Sequence, residues 1–332
     1  MRTNTPNFKV VANKSGRNIP VTVAGNIMTD IQSLIVHIGE QLIGKEMSAV
    51  YKIPPEYLNR FILHISHVEG RSITLSTGSL DGYTGALSDE AVRVLTEIFD
   101  RSADGSLPDK IFEMFPDPRY LSWIVSDLNA LSSDMSGYSI EYDSMGSVGV
   151  FKGVPEALSC VEPEPNEQHG CAIGCIMQAP DNLKMVFDFS EINLYFKEES
   201  AKAEAQKLSK KMLGRVYGDL IFSKRGTLLE IRDIYKVEPA GDLCFKTIVS
   251  QDRDVTFSSP VTATISYNGK EWTLANKDAK LDIKSARWDE VVRTFHNRFM
   301  LCFESYCAKK PSDADKDAVS GYIGSLSPVC RK

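Results

Sequence analysis

The spacing of apolar residues differs between the two halves of this chain, and that difference limits the fold class. Between residues 27 and 42 the apolar side chains recur every three or four positions, at Ile27, Ile31, Leu34, Ile35, Ile38 and Leu42. This spacing predicts one long amphipathic helix. After residue 170 apolar and polar residues instead alternate, as in 261–267 and 270–276 around the turn Asn268-Gly269. Alternation on both sides of such a turn predicts paired strands.

These patterns predict an α+β protein. We expect an N-terminal mixed helical and hairpin domain, followed by a strand-rich domain with two small β-sheet or barrel-like units that each carry one helix. In the second unit we also expect a closing strand at 300–307. Because both units would then run hairpin, strand-like segment, helix and strand, we hypothesise a degenerate internal repeat.

The composition around residue 160 predicts a domain boundary. The segment 153–169 holds three prolines and four glutamates, the most linker-like composition in the chain. We therefore divide the chain into a mixed α/β domain, a linker, two β units with one helix each, and a tail, at 1–154, 155–169, 170–240, 241–309 and 310–332.

Overall composition favours a soluble cytoplasmic protein. The chain has 332 residues, is 42% hydrophobic and 25% charged, and carries a net charge of −6, which disfavours a protein that coats nucleic acid over its whole surface. The N-terminus lacks the apolar segment of a secretory signal, so we expect no membrane partner. Seven cysteines without regular spacing indicate reduced thiols rather than a disulfide framework.

A local excess of positive charge is the strongest functional clue. Residues 202–236 contain nine lysines and arginines but four acidic residues. Cations spaced along a groove displace counterions from a polyanion, and interleaved aromatic rings stack on bases. The candidate nucleic-acid or polyanion site is Lys210, Lys211, Arg215, Tyr217, Lys224 and Arg225. Alternation places Arg215, Tyr217 and Asp219 on one face of a strand. The alternative is a solvated hairpin with no ligand.

A second set of residues has the chemistry of zinc ligands but the wrong spacing. Cys160, His169, Cys171 and Cys175 are thiolate and imidazole donors, which structural zinc prefers. However, Cys171 and Cys175 lie four apart in a predicted strand, so they stand about 13 Å apart. Zinc would require this stretch to be a loop. We therefore predict no metal and no cofactor, and the question of metal binding by these four residues stays open.

Our first hypothesis for function is a non-enzymatic cytoplasmic binding or accessory protein that contacts nucleic acid or another polyanion through residues 202–236. No catalytic residue can be named, because the chain contains no nucleophile elbow and no phosphate-binding loop motif. One alternative is an enzyme whose site is assembled from residues distant in sequence. Another is a protein-interaction subunit that presents an exposed apolar patch on its N-terminal helical region, with a protein as partner.

Overall fold

The computed structural model divides into two compact units. It describes residues 7–13, 18–69, 72–77, 86–144, 147–154, 156–160, 162, 166–180, 182–308 and 318–327. Unit 1 comprises residues 1–43, 54–163 and 251–253, and unit 2 comprises 44–53, 164–250 and 254–332. The predicted linker at 155–169 stays a prediction. The boundary between the two units falls within it, between residues 163 and 164, and its last residues belong to a strand that begins at Glu167.

Unit 1 contains helices and a five-stranded antiparallel sheet, in the order β2-β3-β1-β4-β5. Its elements are β1 (Asn7–Ala12), α1 (Val21–Glu46, whose last residues belong to unit 2), a short 3₁₀ helix (Pro55–Phe61), β2 (Leu63–Glu69), β3 (Ser72–Thr77), α2 (Ala86–Asp104), α3 (Leu107–Met114), α4 (Pro118–Asp134), β4 (Tyr138–Ser144) and β5 (Ser147–Phe151).

Helix α1 supplies much of the apolar core of unit 1. The predicted stripe is buried at Ile27, Ile31, Leu34, Ile35 and Ile38. By length and composition α1 could also cross a membrane, and among the described residues no other helix could. The core helix of a soluble protein and a signal sequence near the N-terminus pass the same test. The expectation of a protein without a membrane partner stays a prediction.

The first part of unit 2 is a closed five-stranded barrel. Its elements are β6 (Glu167–Gln178), β7 (Leu183–Phe187), β8 (Ser190–Phe196), α5 (Glu199–Leu208), β9 (Lys210–Phe222) and β10 (Leu228–Pro239). The strand order is β10-β8-β7-β6-β9. The pair β8–β10 is parallel, and β9 closes the barrel by pairing with β6. This is the topology of the OB-fold, a five-stranded Greek-key barrel.

Glycines allow the strands of this small barrel to approach one another. Gly174 and Gly214 face each other across the β6–β9 pair. A Cβ on Gly174 would lie 2.5 Å from Cγ of Met185, and one on Gly214 would lie 2.4 Å from Cδ1 of Ile176. Both distances are far below van der Waals contact. Larger residues at these two positions would therefore displace the buried side chains of Met185 and Ile176.

The second part of unit 2 is an antiparallel sheet packed on a long helix. Strands β11 (Leu243–Val249), β12 (Asp254–Tyr267), β13 (Trp272–Asn276) and β14 (Leu281–Ser285) follow one another in sequence and in space. They precede helices α6 (Trp288–Ala308) and α7 (Ala318–Ser325). One face of α6 buries Trp288, Val292, Phe295 and Phe299. Within the predicted tail, α7 buries Ile323.

Asp188, in the turn between β7 and β8, joins the barrel to the sheet and to α6. Its Oδ1 accepts hydrogen bonds from Nε1 of Trp272 (2.8 Å) and from the backbone N–H of Trp288 (2.9 Å). The second of these satisfies an N–H group at the start of α6. Asp188 has a φ of 43°, a conformation that Asp and Asn tolerate better than most residues. Burial raises the pKa of Asp188, against the lowering effect of these donors.

The predicted fold class is confirmed, because helices and a sheet precede a barrel with α5 and a sheet with α6. The predicted closing strand at 300–307 is wrong, since these residues continue α6 to Ala308. Their apolar side chains include Phe303, which packs edge-on against Phe257 of β12. The hypothesis of an internal repeat is wrong as well, because the two parts of unit 2 differ in topology. The barrel is closed and contains the parallel β8–β10 pair, whereas the second sheet is open and antiparallel.

We expect Asp188→Ala to lower the free energy of unfolding by about 2–3 kcal/mol, because it removes a helix cap and leaves the Trp272 N–H without its acceptor. Asp188→Asn is the matched control, since it keeps an acceptor and tolerates the positive φ; it should cost less than about 1 kcal/mol. Urea denaturation of both variants measures the difference. Equal stability of the two variants would contradict this role.

His296 makes the stability of unit 2 depend on pH. The ring is buried, and its Nδ1 accepts a hydrogen bond from the N–H of Val249 (3.0 Å). Burial lowers the pKa of His296 from 6.5 to about 3. Between these pH values the unfolded state binds a proton that the folded state does not. The free energy of unfolding therefore falls as the pH drops from 6.5 toward 3.

We expect His296 to contribute a slope of about 1 kcal/mol per pH unit over this range. His296→Asn keeps an acceptor for Val249 but cannot titrate, so the variant should lose that part of the slope. Urea denaturation of both proteins at a series of pH values checks this. An unchanged slope in the variant would show that another group causes the pH dependence.

Candidate functional site

The predicted site residues lie along β9 and the turn that follows it. Arg215 and Tyr217 project from the outer face of the barrel, because the alternate residues Val216 and Gly218 are buried. Lys224 and Arg225 lie in the turn, nine residues beyond Arg215, which corresponds to about 30 Å of strand. Lys210 and Lys211 begin β9, but their side chains lie outside the described residues. Arg215, Tyr217 and Asp219 alternate with buried residues along β9. They therefore share one face of the strand, as the alternation predicts, and this face is the outer one.

Carboxylates neutralise several cations of the 202–236 zone. Four of its nine basic residues form ion pairs with nearby acids: Lys202–Glu199 (3.8 Å), Lys207–Glu204 (2.7 Å), Arg232–Glu230 and Lys236–Glu238 (2.7 Å). Over Glu167–Ala240 eleven basic residues balance eleven acidic ones. The barrel as a whole is thus electrically neutral, and only part of the predicted charge is available to a polyanion.

The turn between β9 and β10 carries the most accessible cations of the predicted site. Lys224 and Arg225 are exposed, and within the described part of the chain neither forms an ion pair. The turn is fixed by Oγ of Ser223, which accepts from the N–H groups of Arg225 (3.2 Å) and Thr227 (3.1 Å). Gly226 has a φ of 78°, which a residue without Cβ adopts at little cost.

Tyr217 is the centre of a polar network on the outer face. Its hydroxyl donates to Oε1 of Glu238 (2.7 Å), and Nζ of Lys236 lies 4.9 Å from its ring centroid. Hydrogen bonds from Lys236 and Tyr217 lower the pKa of Glu238, while burial and this carboxylate raise the pKa of Tyr217. Arg215 contacts the carbonyl of Ala240 at 3.5 Å. The ring is therefore held in one orientation beside two cations.

The structure adds two aromatic residues that sequence reasoning did not assign to this site. His169 on β6 and Tyr235 on β10 stack with an interplanar angle of 8° and a centroid distance of 5.7 Å. Tyr235 also lies 6.2 Å from Tyr217. A register shift between Arg232 and Lys236 turns this part of β10, and Asp233 within it has a φ of 45°. A bulge of this kind is not visible in the alternation of the sequence.

An aspartate fixes the orientation of His169. Oδ1 of Asp219 lies 2.9 Å from Nδ1 of His169, and the two residues face each other in the β6–β9 register. Cys171 follows on the same face, but burial raises the pKa of its thiol. A thiol held protonated is a poor nucleophile. Asp219 therefore orients the ring of His169, and Cys171 beside them does not supply the nucleophile that the enzyme hypothesis requires.

The zinc alternative required a loop where the structure has a strand. Cys171 and Cys175 pair with Tyr217 and Leu213 in the continuous β6–β9 ladder. In the part of the chain that the structure describes, no group of three or more histidine, cysteine, aspartate or glutamate residues could hold a metal ion.

A second histidine–aspartate pair lies in unit 1. Nδ1 of His37 is 2.8 Å from Oδ2 of Asp127, and the His37 ring stacks on Trp123 at 5.0 Å. Burial, together with Asp134 and Asp127, raises the pKa of Asp30 to about 6. These residues lie on α1 and α4 and line a polar seam between the two helices. The enzyme alternative stays a hypothesis, because this seam contains a base and acids but no assigned nucleophile.

The interaction-subunit alternative predicted an apolar patch on the N-terminal helices. Exposed apolar side chains of unit 1 include Phe112 on α3, but also Ile65 and Val68 on β2 and Val148 and Val150 on β5. In the described sheet β2 and β5 are the edge strands. These side chains therefore lie on strands as well as on helices, and the alternative stays a hypothesis.

Comparisons with known proteins give no relative of this chain. No protein-family model matches it, no curated protein matches it, and no solved structure matches it.

Gly218 is the residue on which the outer face of β9 and β10 depends. A Cβ on Gly218 would lie 2.4 Å from the carbonyl O of Arg232, so the bulge would have to move. Gly170 faces it across the β6–β9 pair, and there a Cβ would meet Cδ1 of Leu220 at 3.5 Å, an ordinary contact. We expect Gly218→Ala to lower the free energy of unfolding by about 1–3 kcal/mol.

Gly170→Ala is the matched control and should change stability by less than about 1 kcal/mol. Thermal or urea denaturation of the two variants measures both effects. Equal stability of the two variants would mean that the bulge does not need a glycine opposite it.

Proposed function

We propose that this chain is a non-enzymatic cytoplasmic binding protein whose barrel holds an extended polyanion along β9 and the β9–β10 turn, with nucleic acid as the foremost class. The observation that carries the proposal is the position of Lys224 and Arg225. They occupy the loop between the fourth and fifth strands of a barrel with OB-fold topology, and OB-folds bind oligonucleotides and oligosaccharides with this loop and with the face of strands two and three.

The row of residues along β9 supports an extended ligand. Arg215 and Tyr217 lie on the same outward face, about 23–30 Å along the strand from the turn. That length matches several nucleotides, within the range of 4–16 that a single OB-fold covers.

The charge balance of the barrel limits how strong the electrostatic part of binding can be. Because Lys202, Lys207, Arg232 and Lys236 already contact carboxylates, Arg215, Lys224 and Arg225 remain as the described cations for phosphates. Neutralising about three phosphates of a single strand gives a slope of about −2 in a plot of log K against log salt. The proposal therefore implies moderate affinity with a shallow salt dependence.

The test uses fluorescence anisotropy with a labelled single-stranded oligonucleotide over a series of KCl concentrations. We expect the double variant Lys224→Glu/Arg225→Glu to bind at least tenfold more weakly at low salt, because two phosphate contacts become repulsive. Its salt slope should fall to about −0.7, since roughly one contact remains.

Lys202→Glu/Lys207→Glu is the matched control, because it makes the same change in net charge on α5, where both lysines already contact glutamates. It should keep the slope of the unmodified protein and lose less than about threefold in affinity. If both double variants weaken binding equally, overall charge and not the turn determines binding. If the unmodified protein binds no polyanion at low salt, the proposed function is wrong.

A further inference from the structure

The outer wall of β6, β9 and β10 carries three aromatic rings that have no evident role in the core. His169 and Tyr235 are nearly parallel, and Tyr217 is tilted at 47° to Tyr235. Tyr235 keeps 44% of its surface exposed. We call these three residues the ring platform.

Each ring of the ring platform is held by a neighbour. Asp219 contacts His169, and Glu238 accepts the hydroxyl hydrogen bond of Tyr217. Tyr235 is positioned by the β10 bulge, which Gly218 accommodates. Because the rings are already oriented, a ligand that stacks on them loses little additional side-chain entropy on binding.

The charges around the ring platform decide which part of a ligand it can contact. Asp219 and Glu238 lie beside the rings, and both carboxylates repel phosphates. The same oxygens can accept hydrogen bonds from the exocyclic amino groups of bases. Of the two cations beside the rings, Lys236 is paired with Glu238 and Arg215 contacts the carbonyl of Ala240. The exposed cations Lys224 and Arg225 lie instead in the turn. Repulsion between like charges is therefore smallest when the bases of the ligand lie at the rings and its phosphates lie at the turn.

We infer that the ring platform stacks with unpaired bases, so that the ligand of this barrel is single-stranded nucleic acid rather than a polyanion without bases. The inference rests on the proposed function and narrows it to one chemical class. It places the stacking surface on the first, fourth and fifth strands of the barrel, whereas the usual OB-fold surface lies on strands two and three.

The experiment compares three ligands and two tyrosines. The ligands are a labelled single-stranded oligonucleotide, a strand of equal length without bases, and long-chain inorganic polyphosphate as competitor. The first variant is Tyr235→Ala. The matched control is Tyr195→Ala, because Tyr195 is similarly exposed (49%) but lies on β8, in the usual binding face.

We expect Tyr235→Ala to weaken binding of the base-containing strand by about tenfold to a hundredfold, with polyphosphate binding unchanged. Tyr195→Ala should leave both unchanged. Tyr235→Phe keeps the ring and should bind like the unmodified protein. If Tyr235→Ala does not fold, Tyr235→Leu, which keeps apolar volume but lacks a flat ring, must show the same selective loss.

Three results would overturn the inference. Equal affinity for the strands with and without bases would exclude stacking, while leaving the proposed polyanion function intact. A selective loss in Tyr195→Ala but not in Tyr235→Ala would move the bases to β7 and β8. Absence of binding to all three ligands would reject the proposed function together with the inference.

Discussion

The carboxylate of Asp188 is the contact on which the architecture of unit 2 depends. One oxygen of this side chain accepts from an indole of the sheet and from the first turn of α6, although the residue itself belongs to a turn of the barrel. Nearby, the backbone N–H groups of Val50 and Tyr51 donate to Asp289 of the same helix turn. Burial raises the pKa of Asp289 to about 6. Buried carboxylates thus accept hydrogen bonds around the start of α6, beside the contact between Trp288 and Trp272. The desolvation of these carboxylates opposes the hydrogen bonds that they accept.

The outer face of the barrel depends on a second constraint, which is steric. Gly218 permits the bulge of β10 to approach β9, and the bulge brings Tyr235 next to His169. The polar partners then select the ring orientations. Consequently the aromatic surface and the cationic turn are set independently, the first by close backbone packing and the second by the Ser223 hydroxyl. This separation is what allows the two parts of the proposed site to be tested by different substitutions.

Elements that depend on local patterns could be predicted, and contacts between distant strands could not. The α1 stripe and the hairpin around Asn268 follow from periodicity and turn chemistry. The α+β class follows from them. Barrel closure depends on the parallel pairing of β8 with β10 across α5, for which the sequence has no signal. His169 and Asp219 lie fifty positions apart, and the sequence contains no signal that they meet. Residues 300–307 look like a strand because their apolar residues cluster, but α6 extends through them to pack on β12.

The barrel and the sheet of unit 1 differ in how they end. A closed barrel has no unpaired backbone edge, so it offers no template for another chain to join. The described sheet of unit 1 has two free edges, β2 and β5, and both bear exposed valines. A register shift between Ile65 and His67 interrupts β2, and β5 is only five residues long. Irregular and short edges of this kind are a common protection against aggregation. Straightening β2 or lengthening β5 would remove it, so self-association during expression would begin in the N-terminal sheet and spare the barrel.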